Sequence, residues 1–239
     1  MNVLCFDTHA GIYRIETAHM KTTLHSHPAT EIILATSGSF DITSRDHYYA
    51  DVKFAIIGAN IQHAVFCKTA NLTITLFEHR DAAMCELAKS AGVILQKGIG
   101  TVADPSQAEH YHQTMMACAP GLLPGRDYDP RIAEALRWIE SNLPGNENIP
   151  DQLASLTHLS QSRLSHLFKA HVGISIRKYV VWARLKRSIA LYVSQPTLLM
   201  DALLVNGFYD PSHFTRAFKK MLGVVPSHAY NSRSVQLVK

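Results

Sequence analysis

The stretch Asp201–Tyr230, DALLVNGFYDPSHFTRAFKKMLGVVPSHAY, decides the fold, because a degenerate copy of it begins 50 residues earlier as Asp151–Ser175, DQLASLTHLSQSRLSHLFKAHVGIS. The identical positions of the two copies are Asp151/Asp201, Leu153/Leu203, Ser162/Ser212, Phe168/Phe218, Lys169/Lys219 and Gly173/Gly223. An internal repeat is a strong constraint on architecture, and two copies are too few for a solenoid. The sequence therefore predicts a duplicated supersecondary unit.

Each copy has the signals of a helix, a tight turn and a second helix. In the later copy, Asn206-Gly207 ends the first helix, and Asp210-Pro211 supplies a cap and a first-turn proline for the next. Ser160 is the predicted cap in the earlier copy. Apolar residues recur at spacings of three and four after each cap, which predicts one buried helix face. We expect helix-turn-helix units at about 151–173 and 201–223.

The opposite face of each second helix combines short hydrogen-bonding groups with cations, a mixture suited to base edges and phosphates. The candidate DNA-binding residues are Ser162, Arg163, Ser165, His166 and Lys169 in the first unit, and Ser212, His213, Thr215, Arg216, Lys219 and Lys220 in the second. A single face of this kind is equally compatible with a solvated surface. Two such units joined by a helical spacer over Ser175–Gln195 can enter successive major grooves, roughly 34 Å apart.

The block from about Asp129 to Tyr230 resembles the DNA-binding domain of AraC/XylS-type transcription regulators. The resemblance rests on Gly207-Phe208, Ser212-His213-Phe214, Arg216-Ala217-Phe218-Lys219, Gly223, Pro226-Ser227 and Tyr230. His166 departs from the family pattern, in which an arginine is common at this place. The resemblance implies promoter DNA as a partner, with RNA polymerase as a further one.

Charge is divided unevenly between the two halves of the 239-residue chain. Residues 129–239 hold 14 Lys+Arg and 7 Asp+Glu, whereas residues 1–128 hold 9 and 12. A basic C-terminal half suits a nucleic-acid module joined to a domain of another kind. The four cysteines are widely spaced and favour neither a zinc ribbon nor a disulfide framework. No signal peptide or long apolar span is recognisable, so we expect a cytoplasmic protein without a membrane segment.

The first 79 residues read as short strands separated by turn-forming residues, a pattern typical of a sandwich or barrel. The segment Leu24-His-Ser-His-Pro-Ala-Thr-Glu31 resembles the first cupin motif, and Ile57–His63 resembles the second. AraC-type regulators often carry such a barrel. The expected fold is therefore two-domain α+β, with a cupin-like β-barrel and flanking helices over 1–118, a linker over 119–129, and an all-α double helix-turn-helix domain over 130–239.

Four residues of the predicted barrel are candidates for a metal or effector pocket. His25 and His27 are two apart, so on a strand they share a face. With Glu31 and His63 they form a set of three histidines and one carboxylate, suited to a divalent transition metal. The same residues can instead form the polar lining of a pocket for a small organic effector.

Helical patterns between Arg80 and Ala117 admit either core packing or a dimer contact, and the family resemblance favours a homodimer. The leading functional hypothesis is a non-enzymatic transcription regulator controlled by a ligand in its barrel. The alternatives are a metal-dependent cupin enzyme or metal sensor tethered to DNA, and a constitutive DNA-binding protein whose barrel only dimerises.

Overall fold

The computed structural model describes residues 2–78, 81–119, 128–143, 148–194 and 199–226, so most of the predicted linker lies outside the described residues. The chain forms two compact units, residues 1–126 with 218–239, and residues 127–217. The first is rich in strands and the second is helical, which gives a two-domain α+β protein. The domain bounds 1–118 and 130–239 remain a prediction from the sequence. The division into compact units differs from them, because it groups residues 218–239 with the first unit.

The first unit contains ten strands: β1 (Asn2–Asp7), β2 (Ile12–Thr17), β3 (Met20–Lys21), β4 (Ala29–Ser37), β5 (Phe40–Ser44), β6 (Tyr48–Val52), β7 (Phe54–Ile57), β8 (His63–Cys67), β9 (Asn71–Glu78) and β10 (Ile99–Val102). They pair in two sheets, one in the order β1-β2-β9-β4-β7-β10 and the other in the order β3-β8-β5-β6. The pairings between these described strands are antiparallel.

The two sheets face each other across an apolar core. Ile33 and Ile57 of the larger sheet share one buried cluster with Ile42 and Val65 of the smaller sheet. Neighbouring residues of the larger sheet, such as Ile32, belong to a second cluster on its other face. Because side chains alternate along a strand, β4 is buried on both faces. It is therefore the strand that ties the layers of this unit together.

Two helices, α1 (Asp81–Ser90) and α2 (Pro105–Cys118), cover that second cluster. Met84 and Ala88 of α1, with Ala108 and Met115 of α2, are buried against residues of the larger sheet. This is the core-packing alternative, and it accounts for the apolar faces of both helices. The homodimer stays a prediction that these buried faces do not support.

The predicted closure into a barrel needs correction. Among the described strands, the ladders form a sheet of six strands and a sheet of four that do not join into a closed barrel. The sheets are held face to face by the side-chain core between them rather than by a continuous ring of backbone hydrogen bonds. None of the described helices has the length and apolar character needed to span a membrane.

The helices after residue 127 are α3 (Pro130–Asn142), α4 (Ile149–Thr157), α5 (Gln161–Val172), α6 (Ile176–Ser194), α7 (Leu199–Val205) and α8 (Pro211–Leu222). The helical unit contains them up to Ala217, and the rest of α8 is grouped with the first unit. The pairs α4–α5 and α7–α8 are the two predicted copies, and α5 and α8 begin and end at the same offset of 50 residues. The predicted cap of the first copy is present, since Ser160 Oγ accepts from the N–H of Arg163. Gly173 ends α5 with φ +84°, and Gly223 follows α8 with φ +72°, a left-handed conformation that favours glycine.

Candidate ligand centre and nucleic-acid interface

The four predicted pocket residues come together inside the first unit. His25 and His27 lie between β3 and β4, Glu31 lies on β4, and His63 is the first residue of β8. All four are buried, and one ligand atom from each lies within 4.8 Å of the others. The four residues therefore come together as predicted, although His25 and His27 lie in the segment between β3 and β4 rather than on a strand.

Backbone pairing brings the histidines into register. His25 and His63 exchange two backbone hydrogen bonds, with N···O distances of 2.9 and 3.0 Å. The carbonyl of His27 accepts from the N–H of Asn60 at 2.8 Å, which ties the first motif to the second. Glu31 is carried by the opposing sheet, where it pairs with Ile57 of β7. The fold thus holds all four side chains with little freedom.

Each of the three histidines places its Nδ1 atom close to a backbone carbonyl oxygen. The Nδ1 atom of His25 lies 2.9 Å from the carbonyl oxygen of Thr23, that of His27 lies 3.0 Å from Ala29, and that of His63 lies 2.9 Å from Ile61. A carbonyl oxygen can only accept, so the proton of each neutral ring belongs on Nδ1. The three Nε2 atoms therefore carry the lone pairs, which is the arrangement of histidines that ligate metals through Nε2.

The Nε2 atoms converge on Glu31. Oε2 of Glu31 lies 2.7 Å from Nε2 of His63 and 3.3 Å from Nε2 of His27. A carboxylate oxygen and an unprotonated Nε2 are both acceptors, so this approach requires a proton or a cation between them. Nε2 of His63 is also buried without a hydrogen-bond partner in suitable geometry among the described residues.

Titration within the cluster follows from burial and from the neighbouring charges. Burial, helped by His63 and His27, lowers the pKa of His25 to about 3. Burial alone would raise the pKa of Glu31, but His63 and His27 outweigh it and hold that pKa well below its usual range. Burial opposes the charged form of His63, whereas Glu31 raises its pKa above the ordinary value. Glu31 is thus an anionic donor beside imidazoles, one of which is held neutral.

This donor set fits a divalent transition metal. Imidazole nitrogen and carboxylate oxygen are ligands for zinc and its first-row neighbours, at about 2.0–2.2 Å, so the donors of a tetrahedral shell lie about 3.3–3.6 Å apart. The donor atoms of the cluster lie within 4.8 Å of one another, so small side-chain movements would close them around an ion. Four protein donors complete a tetrahedral shell, which is typical of a structural zinc site rather than of a catalytic one, where a position stays open.

A cavity of about 450 Å³ lies among residues adjacent in sequence to the cluster. Ser26, Asn60, Ile61 and Gln62 contribute to its lining, with Arg45 among the other residues. Its volume falls within the range of small-molecule sites. An organic effector beside the histidines therefore stays an alternative to a metal.

The predicted DNA-facing residues of the first helix-turn-helix unit lie on one side of α5. Ser162, Arg163, Ser165, His166 and Lys169 are all exposed. Leu164, Phe168 and Val172 of the same helix are buried. This is the amphipathic division that the spacing of apolar residues predicts.

The second unit repeats this division with one exception. Ser212, Thr215, Arg216, Lys219 and Lys220 are exposed, whereas Phe214, Ala217, Phe218 and Met221 are buried. His213 is half-buried, with its ring 5.4 Å from that of Phe208. Nη2 of Arg216 lies 3.6 Å from Oδ2 of Asp210, the exposed residue that directly precedes α8.

The spacer α6 contains cations that serve the fold rather than an exposed surface. Lys186 is 2% exposed and pairs with Glu140 of α3, and Arg184 donates to the carbonyl of Gly207 at 3.3 Å. Sequence reasoning counted both only as part of a basic spacer. The spacing could have revealed Lys186, because it follows the buried Tyr179, Trp182 and Ala183 at helical intervals.

A family model described as a helix-turn-helix domain matches residues 153–232. The Tn10 TetD protein of Escherichia coli is 31% identical over 109 residues, which cover 43% of this chain and 78% of TetD. The chain belongs to the AraC family of transcriptional regulators. Among its relatives, the probable transcriptional regulator LumQ of Photobacterium leiognathi is 25% identical over 240 residues, or 90% of this chain and 94% of LumQ.

Other relatives of this AraC-family chain match over 41–44% of its length. The matched segment spans about a third of their length, and they include the arabinose operon regulatory protein of Escherichia coli. An apo variant of ToxT from Vibrio cholerae has a similar fold over 92% of this chain and 96% of its own, with a TM-score of 0.61 at 10% identity. At that identity the likeness concerns the fold alone.

Proposed function

We propose that this protein regulates transcription by binding promoter DNA through its two helix-turn-helix units. The observation that carries the proposal is the repeat itself: α5 and α8 have equal length, the same offset of 50 residues and the same exposed polar and cationic face. Family membership supports it. A helix of 19 residues, the length of α6, spans about 28 Å, which is comparable to one turn of DNA.

We further propose that a ligand held by His25, His27, Glu31 and His63 controls this activity, and that a divalent transition metal is its best-fitting form. The metal would supply a positive charge that joins three imidazoles and one carboxylate across the two sheets. The complete set of four buried protein donors favours this regulatory role over the enzymatic alternative.

DNase or hydroxyl-radical footprinting of the full chain on a duplex selected from a random pool tests the DNA-binding proposal. We expect two protected major-groove segments, centred about ten base pairs apart on one face of the duplex. A single short protected patch would contradict the use of both units. The doubly substituted Lys169→Ala, Lys219→Ala chain is the matched control, since it loses one phosphate-binding cation at the same position of each copy.

A further inference from the structure

The segment before the histidine cluster is bonded to the residue that follows α8. The backbone N–H of Thr23 donates to the carbonyl oxygen of Gly223 at 2.8 Å, and the Thr23 hydroxyl donates to the same oxygen at 3.1 Å. Both residues belong to the first compact unit, which comprises residues 1–126 and 218–239. The two hydrogen bonds join positions that are 200 residues apart.

Thr23 faces His25 as well as Gly223. Its carbonyl oxygen accepts from Nδ1 of His25 at 2.9 Å, so one residue holds Gly223 by its donors and the imidazole by its acceptor. The N–H of Gly223 in turn donates to Lys219 at 2.9 Å and closes the last turn of α8. A short chain of contacts therefore leads from the cluster to the end of the second DNA-facing helix.

The contact at Gly223 leaves no room for a side chain. A Cβ atom placed there would lie 2.5 Å from Nδ1 of His25, 2.7 Å from Cβ of Thr22 and 2.8 Å from the carbonyl oxygen of Thr23. The φ of +72° already favours glycine at this position. The close approach to a cluster histidine is a second and independent reason for glycine.

We propose that metal occupancy of the cluster and the position of the C-terminal end of α8 are coupled through Thr23, so that metal binding changes the affinity for DNA. The inference rests on the proposed function, because it needs both a metal in the cluster and DNA on α8. Coordination by Nε2 fixes the His25 ring and keeps its proton on Nδ1, which strengthens the bond to the Thr23 carbonyl. That bond fixes the carbonyl group of Thr23, the residue whose own N–H and hydroxyl bond the carbonyl oxygen of Gly223.

Coupling of this kind is reciprocal: if metal changes DNA affinity by some factor, DNA changes metal affinity by the same factor. Typical couplings amount to about 5–150-fold. The test uses the full chain, Zn²⁺ alone as the ligand, and a duplex selected by that chain from a random pool. DNA affinity is measured with Zn²⁺ and after chelator treatment, and Zn²⁺ affinity is measured by chelator competition with and without saturating duplex. We expect both affinities to change at least fivefold, by the same factor.

Two glycine variants test whether the coupling depends on the contact between Thr23 and Gly223. Gly223→Ala should lower Zn²⁺ affinity and bring the coupling factor to within about twofold of unity. Gly173→Ala is the matched control, because Gly173 ends α5 with φ +84° and forms the same kind of cap. It should keep the wild-type coupling despite equal backbone strain. Should circular dichroism show that Gly223→Ala does not fold, Thr23→Val replaces it, with Thr36→Val as its control.

Four results would overturn the inference, and they differ in what they leave of the proposed function. Zn²⁺ and DNA binding that are independent within twofold in the wild type would overturn the inference and leave DNA-binding regulation intact. Wild-type coupling that persists in both Gly223→Ala and Thr23→Val would overturn it as well. A chain that binds DNA but no Zn²⁺ removes the inference together with the metal proposal. A chain that selects no duplex at all removes the proposed function itself.

Discussion

The ammonium group of Lys186 is buried in the helical unit and lies 3.1 Å from Oε1 of Glu140. The Tyr179 hydroxyl donates to the same oxygen at 2.9 Å. Removal of the carboxylate charge leaves a buried cation poorly compensated, whereas removal of the lysine charge leaves a partly exposed carboxylate. We therefore expect Glu140→Gln to lower the free energy of unfolding by about 1–3 kcal/mol and Lys186→Met by less than about 1 kcal/mol.

Urea unfolding followed by tryptophan fluorescence measures this difference. Both tryptophans, Trp138 and Trp182, lie on α3 and α6, so their emission reports the helical unit. The reverse order, with Lys186→Met the more damaging change, would show that the pair stabilises this unit mainly through the lysine.

Two exposed cations of α8 should differ in their effect on DNA binding. Arg216→Ala should cost about 1–3 kcal/mol on the selected duplex and relax its sequence preference, as expected for loss of a base contact. Lys219→Ala should weaken binding to all duplexes alike and reduce the salt slope by about one. Equal losses for Arg216→Ala on selected and random DNA would remove Arg216 from the base-reading set.

The repeat supplies a matched change in the first unit. His166 occupies the position of Arg216 at the offset of 50 residues, and both are exposed. We expect His166→Arg to raise affinity for DNA of any sequence, because it adds a permanent positive charge to the helix face proposed to contact DNA. Electrophoretic mobility shifts at two salt concentrations measure the effect, which should be larger at the lower salt concentration.

Metal content tests the histidine cluster directly. Purified protein should retain close to one divalent transition metal per chain, and His27→Ala should lose it, because three of four donors bind much more weakly. His110→Ala is the control, since His110 is an exposed histidine of α2 outside the cluster. Elemental analysis that finds no metal in the wild type, or full loading in His27→Ala, would favour the organic-effector alternative.

The cysteines should differ strongly in reactivity. Burial, together with the nearby Asp81 carboxylate, raises the pKa of the Cys85 thiol to about 12. The thiolate is the reactive form, so at pH 8 alkylation of Cys85 by iodoacetamide should be on the order of 100-fold or more slower than that of the exposed Cys118. Asp81→Asn should accelerate Cys85. Peptide mass spectrometry measures both rates, and comparable rates in the wild type would contradict the burial of Cys85.

The helical unit was predictable almost to the residue because its signals are local. The caps predicted at Ser160 and Asp210 accept backbone N–H groups of Arg163 and Ser212, and the proline at position 211 begins α8 as its position indicates. The short strands predicted for the first 79 residues are present, and β2, β4, β5, β7 and β9 coincide with apolar or β-branched runs. Apolar periodicity and caps depend on neighbours in sequence, so a single chain displays them.

Strands that lack a local apolar pattern were missed. β3 has two residues and exists only through its pairing with β8, and β6 is exposed at most of its positions. Whether the strands form two sheets or a closed barrel depends on which edge strands pair with each other. No local sequence pattern indicates this pairing. The cluster was found from the histidine spacing, but the role of Thr23 was not, since it depends on Gly223.

The two helices proposed to contact DNA, α5 and α8, have equal length and register but unequal side chains, with His166 in one where Arg216 stands in the other. A palindromic DNA site suits two identical recognition helices. Two unequal recognition helices on one chain favour a DNA site whose halves differ in sequence. Such a site has a left and a right end. A single bound chain would then point along the promoter in one direction, and this polarity would be available to transcription before any second copy arrives.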